Sequence, residues 1–315
     1  MTAAAETAVT NALPWATLGG TIQKEHRFDL EAAMQENGLN VNYELVPLLT
    51  EDGMKVRAKA IRRTANKVIT ADSVGMIYHL LQPAEAFNFF TPFLENKLAS
   101  LCTWGQLGKG KKIWMLAKIE RDPIVLGKGE KDFVEKYVLL MTPYDGSTSV
   151  YVGFTPIYFT CSNTLALAMK DKAAQMIRVR HTKRMVGSLE AIQNVIDLAD
   201  QQFSSTAEQY QNLIGKGINA KDLDKYVRKV FKLKGDKLNG QQQRILTTVT
   251  ELFETGKSAK LDTNKGTMWG AYNAVTEFLS YKRGDTQDTR LTSLWFGASA
   301  RTNAHALHTA LQLAS

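Results

Sequence analysis

The stretch DGSTSVYVGFTPIYFTCSNTLALAMKDKAAQMIRVRHT, residues 145–182, decides how the fold is read. Asp145-Gly146 reads as a turn, because Asp can hydrogen-bond its own backbone and Gly tolerates positive φ. Val150, Val152 and Phe154 then alternate with Ser149, Tyr151 and Gly153, the period-2 pattern of a half-buried strand. Ser162 or Asn163 is expected to cap a helix that begins at Thr164, taking backbone N–H groups that the first turn leaves without partners. Leu165, Leu167, Ala168 and Met169 supply its apolar content, and it empties into Arg178, Arg180, His181, Lys183 and Arg184.

Strand signals dominate before this stretch and helix signals after it. Asp29 precedes an apolar run, Leu30 to Met34, that stops at Asn37-Gly38, so a helix is expected over 28–37. Val41–Val46 and Met54–Arg63 alternate as strands, and Gln82-Pro83-Ala84-Glu85 opens a helix whose Phe87, Phe89 and Phe90 belong to the core. Leu98–Gln106 and Lys112–Glu120 read as a hairpin turning through Leu107-Gly108-Lys109-Gly110-Lys111. Beyond His181, apolar residues repeat at helical spacing over 188–203, 223–233, 241–255 and 268–279. Asn219 stands at the start of the second of these, whose exposed side carries Lys221, Lys225, Arg228, Lys229, Lys232 and Lys234. The expected fold is therefore α+β: an antiparallel sheet with β-hairpins packed by helices, then a mainly helical C-terminal region. The domains are expected at 1–204 and 205–315.

Composition narrows the function classes. Two cysteines, Cys102 and Cys161, cannot make a disulfide framework and are too few for a cysteine zinc site. His305 and His308 stand three apart with no third ligand beside them, so no metal and no cofactor is expected. No stretch reaches the ~18–20 uncharged apolar residues of a spanning helix. Glu6 and the lack of early basic residues argue against a leader. These features point to a reducing cytoplasm. The formal charge of +8 is unevenly placed. Residues 1–160 balance at 17 cationic and 17 acidic side chains, while 161–315 hold 22 and 14. Such asymmetry points to a polyanionic partner or to a solvated basic face.

The cations fall into groups. Lys55, Arg57 and Lys59 alternate along one strand and are continued by Arg62 and Arg63. Their spacing of ~6.6 Å roughly matches successive phosphates on an extended single strand. An edge strand guarded by lysines has the same pattern. Lys109, Lys111 and Lys112 surround the hairpin tip, with Trp104 and Trp114 on its arms as candidate base-stacking surfaces. The tip lacks the span and the following helix of a Walker motif. Arg178, Arg180, His181, Lys183 and Arg184 form the third group. An alternative reading takes Cys161 and His181 as a nucleophile and base, with Asp145, in a nuclease or hydrolase; a buried strand-end thiol is the plainer account of Cys161. A third reading is a protein-binding module whose basic half meets an acidic protein.

Several motifs carry a resemblance. They are Trp15-x-x-Leu18-Gly19, Asp145-Gly146, Gly153-x-Thr155-Pro156-Ile157, Cys161-Ser162-Asn163-Thr164-Leu165 and Arg180-His181-Thr182. Toward the end come Gly266-Thr267-x-Trp269-Gly270-Ala271-x-Asn273-Ala274-Val275-Thr276-Glu277 and Leu294-x-Phe296-Gly297. In this order they resemble the phage- and plasmid-encoded family of domain-of-unknown-function proteins labelled phage/plasmid-like. Tyr158 stands where that family commonly has Arg, and Tyr281 where His is frequent. The setting implies a mobile element and, by analogy of plan, phage single-strand annealing proteins of the Redβ and Erf type. That analogy implies single-stranded DNA as partner, DNA recombination as the process, and assembly into homo-oligomeric rings or filaments.

Overall fold

The structure is a computed structural model, and it describes residues 13, 15–16, 19–127, 132–146, 149–158, 163–164, 176–179, 196–235 and 237–315. It is α+β. Two compact units interleave along the chain. One comprises Met1–Arg121, Tyr137–Phe154 and Ala173–Asp197; the other comprises Asp122–Lys136, Thr155–Lys172 and Leu198–Ser315.

The strands are β1 (Gly19–Thr21), β2 (Tyr43–Leu49), β3 (Lys55–Arg63), β4 (Ile69–Gly75), β5 (Ala99–Leu107), β6 (Lys112–Ile119), β7 (Ile124–Val125), β8 (Phe133–Pro143), β9 (Val150–Tyr158), β10 (Asn163–Thr164) and β11 (Met176–Val179). Eight of them form one sheet in the order β1-β5-β6-β8-β9-β10, with β7 on β8 and β11 on β9. β2, β3 and β4 form a separate three-stranded sheet. Every pairing with a described register is antiparallel.

In the first unit, α1 (Leu30–Glu36) begins where the Asp29 carboxylate accepts the Ala32 amide at 3.0 Å. α2 (Pro83–Phe87) begins with a Gln82–Glu85 capping box and Pro at its first position, and α3 (Thr91–Glu95) follows closely. Phe87, Phe89, Phe90 and Phe93 of this segment are all buried, as expected of core residues. The β5–β6 hairpin forms with the expected turn, from Leu107↔Lys112 at the tip to Ala99↔Ile119. β6 lies between β5 and β8 and is covered on both faces, leaving only Lys112 and Lys118 partly exposed.

The region after β9 differs from expectation. Asn163 and Thr164 pair with Tyr158 and Ile157, and Met176–Val179 pairs with Gly153–Val150. Both pieces run antiparallel along β9. The exposed N–H and C=O groups of β9 take backbone partners here, so Asn163 joins a ladder where helix capping was expected. Leu165 to Met169 lie outside the described residues.

The second unit carries α4 (Ile196–Gly215), α5 (Ala220–Phe231), α6 (Gly240–Thr255), α7 (Met268–Glu277), α8 (Gln287–Phe296) and α9 (Ala298–Ala314). Caps define their starts: the side chains of Asn219, Asn239, Thr267 and Thr286 accept the amides of Asp222, Gln242, Gly270 and Thr289. All ten residues of α7 are buried, so it is the central helix of this unit and needs no polar face. A π-helical turn, Phe278–Lys282, continues it.

Candidate nucleic-acid interface

The register of β3 sorts its cations by side. Lys59, Ile61 and Arg63 stand opposite Pro47, Leu45 and Tyr43 on β2, and Lys59 stands opposite Val74 on β4. Alternation continues the same side to Arg57 and Lys55, past an irregularity in pairing with β2 between Lys55 and Lys59. Lys55 and Arg57 are exposed, while Lys59 and Arg63 are half-buried. Arg62 belongs to the other side. Its Nε donates to Glu44 Oε1 at 3.0 Å, and Lys67 Nζ approaches the same oxygen at 3.3 Å. Both cations hold the Glu44 carboxyl below its ordinary range, the hydrogen bond from Arg62 contributing most. Arg62 is thus neutralised locally and leaves the row.

The row ends at the hairpin tip. Gly108, Lys109 and Gly110 have φ of +61°, +59° and +90°, a tight left-handed turn that a lysine occupies at its middle. A Cβ on Gly110 would lie 3.3 Å from each of Arg63 Nη1, Gln106 Oε1 and the Tyr43 hydroxyl. The absence of a side chain there lets Arg63 and Tyr43 close on the tip. Tyr43 donates its hydroxyl to Gly110 O at 2.7 Å and stacks on Tyr144, with ring centroids 3.7 Å apart and planes within 1°. The Tyr144 amide donates to Lys111 O at 2.7 Å, fixing the far side of the turn. Burial pushes the Tyr43 phenol up to about 12 against the opposing pull of Arg63, and burial raises Tyr144 and Tyr78 as well. All three are neutral at pH 7. Arg63 Nε is buried and finds no hydrogen-bond partner among the described residues.

Among the described residues, Lys55, Arg57, Lys59, Arg63, Lys109 and Lys111 form no ion pair. Lys112 does, with Asp145, both largely buried. Lys112 therefore braces the tip and is not available to a phosphate, and Asp145 is engaged with it. The tryptophans also depart from expectation. Trp114 is fully buried, edge-on to Trp15 at 5.9 Å, so its ring offers no face to a base. Trp104 is half-buried, with Nε1 donating to Asn37 Oδ1 at 2.7 Å and its ring against Gly20. Arg178 has its backbone in β11, opposite Tyr151. Arg180, His181, Lys183, Arg184 and Cys161 lie outside the described residues.

The second unit holds a different polar centre. Tyr158 donates to Asp132 Oδ1 at 2.9 Å and accepts from Asn264 Nδ2 at 2.9 Å, while Thr263 donates to Asp132 Oδ2 at 2.8 Å. Tyr158 packs against Trp269, which also meets Tyr210 and Tyr272. Here a tyrosine hydroxyl satisfies a buried carboxylate. Tyr281 lies under Lys257 Nζ, 4.1 Å from the ring centroid. No group of three or more His, Cys, Asp or Glu suited to a metal occurs among the described residues, and none of their helices is long and apolar enough to cross a membrane.

These features define an α+β protein with a cationic strand-and-hairpin surface on one unit and a helical core on the other. The chain belongs to the family described as Domain of unknown function (DUF932), whose model matches residues 71–307. The match begins inside β4, so β2 and β3 precede it, while the hairpin tip and the helices fall within it. Neither the curated proteins nor the solved structures yield a match.

Proposed function

We propose that the protein binds single-stranded DNA along β3 and the β5–β6 tip, and that it promotes strand annealing or recombination for a phage or other mobile element. The observation that supports this most is the meeting of Arg63 with Gly110. It joins a strand row whose cations form no ion pair among the described residues to a turn carrying Lys109 and Lys111, and Arg63 Nε is buried with no hydrogen-bond partner among those residues. From Lys55 to Arg63 the row spans ~26 Å, about the reach of four extended nucleotides. Half-buried Lys59 and Arg63 hold position better than lone surface lysines, because part of their rotamer freedom is already lost. Phosphate contact alone gives binding without sequence preference and leaves base edges free for pairing. Annealing of this kind needs no cofactor, and it gains from self-association, which places two strands on neighbouring copies.

The test is annealing of two complementary oligonucleotides followed by fluorescence, with native-state mass measured with and without the single strand. The expected result is faster annealing and a larger assembly on DNA. Absence of both annealing and salt-dependent binding would remove the proposal.

A further inference from the structure

We infer that α5 carries a second phosphate-binding surface, separate in sequence and unit from the β3 row, which takes a nucleic-acid backbone without regard to strandedness. Leu223, Tyr226, Val227 and Val230 are buried, which fixes how the helix is rolled. Lys221, Lys225 and Lys229 follow at i, i+4 and i+8 on the outward side, all exposed, spanning ~12 Å along the axis. Exposed Lys232 and Lys234 prolong the line beyond the helix end. Asp224, the acid beside the stripe, is taken by Arg228 at 2.8 Å, and Asp222 lies in the first turn. On the packed helix α9, Gln312 accepts from Lys229 Nζ at 3.1 Å, and His305 reaches Lys229 O at 3.4 Å. No carboxylate from α9 faces the stripe.

One member of the stripe stands against the helix's own electrostatic preference. Lys229 sits in the last turn, where the macrodipole favours cations, but Lys221 is in the first turn, where it opposes them. A residue set against local preference marks a functional demand. Glutamine has nearly the same helix propensity as lysine, so neutralisation leaves the fold intact. The stripe has no exposed aromatic side chain, since Tyr226 is buried, so it reads phosphates and not unstacked bases.

The test uses the full chain with Lys221, Lys225 and Lys229 replaced by Gln, and separately with Lys55→Gln and Arg57→Gln. Binding to a 30-base single strand, a duplex of the same length and polyglutamate is titrated with salt, at lengths of about 30. Losing three contacts should lower the duplex slope of log K against log salt by about 2.7, and weaken duplex binding at least tenfold. Melting temperature should be unchanged or raised. A slope unaltered by the triple substitution overturns the inference, even where the β3 pair still weakens single-strand binding. Loss at α5 with none at β3 supports it and removes the β3 reading instead. Polyglutamate binding as tight as DNA binding overturns the assignment of nucleic acid as the partner.

Discussion

Gly110→Ala tests the joint between the strand row and the hairpin tip. A φ of +90° is foreign to an alanine, and such backbone strain costs about 1–3 kcal/mol. The new Cβ would also sit 3.3 Å from Arg63 Nη1, Gln106 Oε1 and the Tyr43 hydroxyl, tighter than ordinary contact. Arg63 can swing away, but Tyr43 is held by its stack on Tyr144, so its 2.7 Å bond to Gly110 O lengthens or breaks. That adds about 1 kcal/mol. Gly38→Ala is the matched control: φ is +62°, and nothing lies within 4 Å of its Cβ position, so it carries the left-handed strain alone, about 1–2 kcal/mol. Circular dichroism melts should therefore place Gly110→Ala below Gly38→Ala by roughly 2–4 °C. Single-strand affinity should fall for Gly110→Ala alone, because only there is Arg63 displaced. Equal melting temperatures and equal affinities for the two variants would refute the crowding argument.

Tyr43→Phe should cost about 1–2 kcal/mol at pH 7 by leaving Gly110 O without its donor. The folded-state phenol titrates higher than the unfolded one, so its stabilisation is complete below pH ~10 and is lost as pH rises through about 12; alkaline melts should show the wild type losing ground that Tyr43→Phe does not. Glu277→Gln should raise the melting temperature at pH 7, since burial lifts this carboxyl above its usual range despite the Lys257 amide and the charges of Lys257 and Lys282. The gain should shrink as pH falls toward the ordinary carboxylate pKa, where the wild-type group is protonated in both states. Asp145→Asn should destabilise by about 1–3 kcal/mol, because it strands a largely buried Lys112.

Local physics made some of this legible from sequence. The Gly108-Lys109-Gly110 tip, the Asp29 and Asn219 caps and the period of α7 all depend on residues within one turn of each other. What was hidden depends on distant partners. Arg62 and Arg63 are neighbours, yet Glu44 claims one and the hairpin tip holds the other. Lys112, Trp114, Leu116 and Lys118 alternate along β6, yet that strand has neighbours on both sides and cover on both faces, so only its end lysines reach solvent. The stack of Tyr43 on Tyr144 joins residues about a hundred apart, and no period or spacing reports it. Asn163 and Thr164, expected at a helix start, pair with Tyr158 and Ile157 of β9 instead, a demand that lies outside the segment's own sequence.

The central claim is that Lys55, Arg57 and Lys59 contact phosphates together with Arg63. The most direct measurement is the salt dependence of single-strand binding for the wild type and for the variant with all three lysine and arginine positions from 55 to 59 changed to Gln. Three lost contacts should flatten the slope of log K against log salt by about 2.1, at about 0.7 per phosphate. A slope unchanged within error, with the fold intact by circular dichroism, would contradict the account.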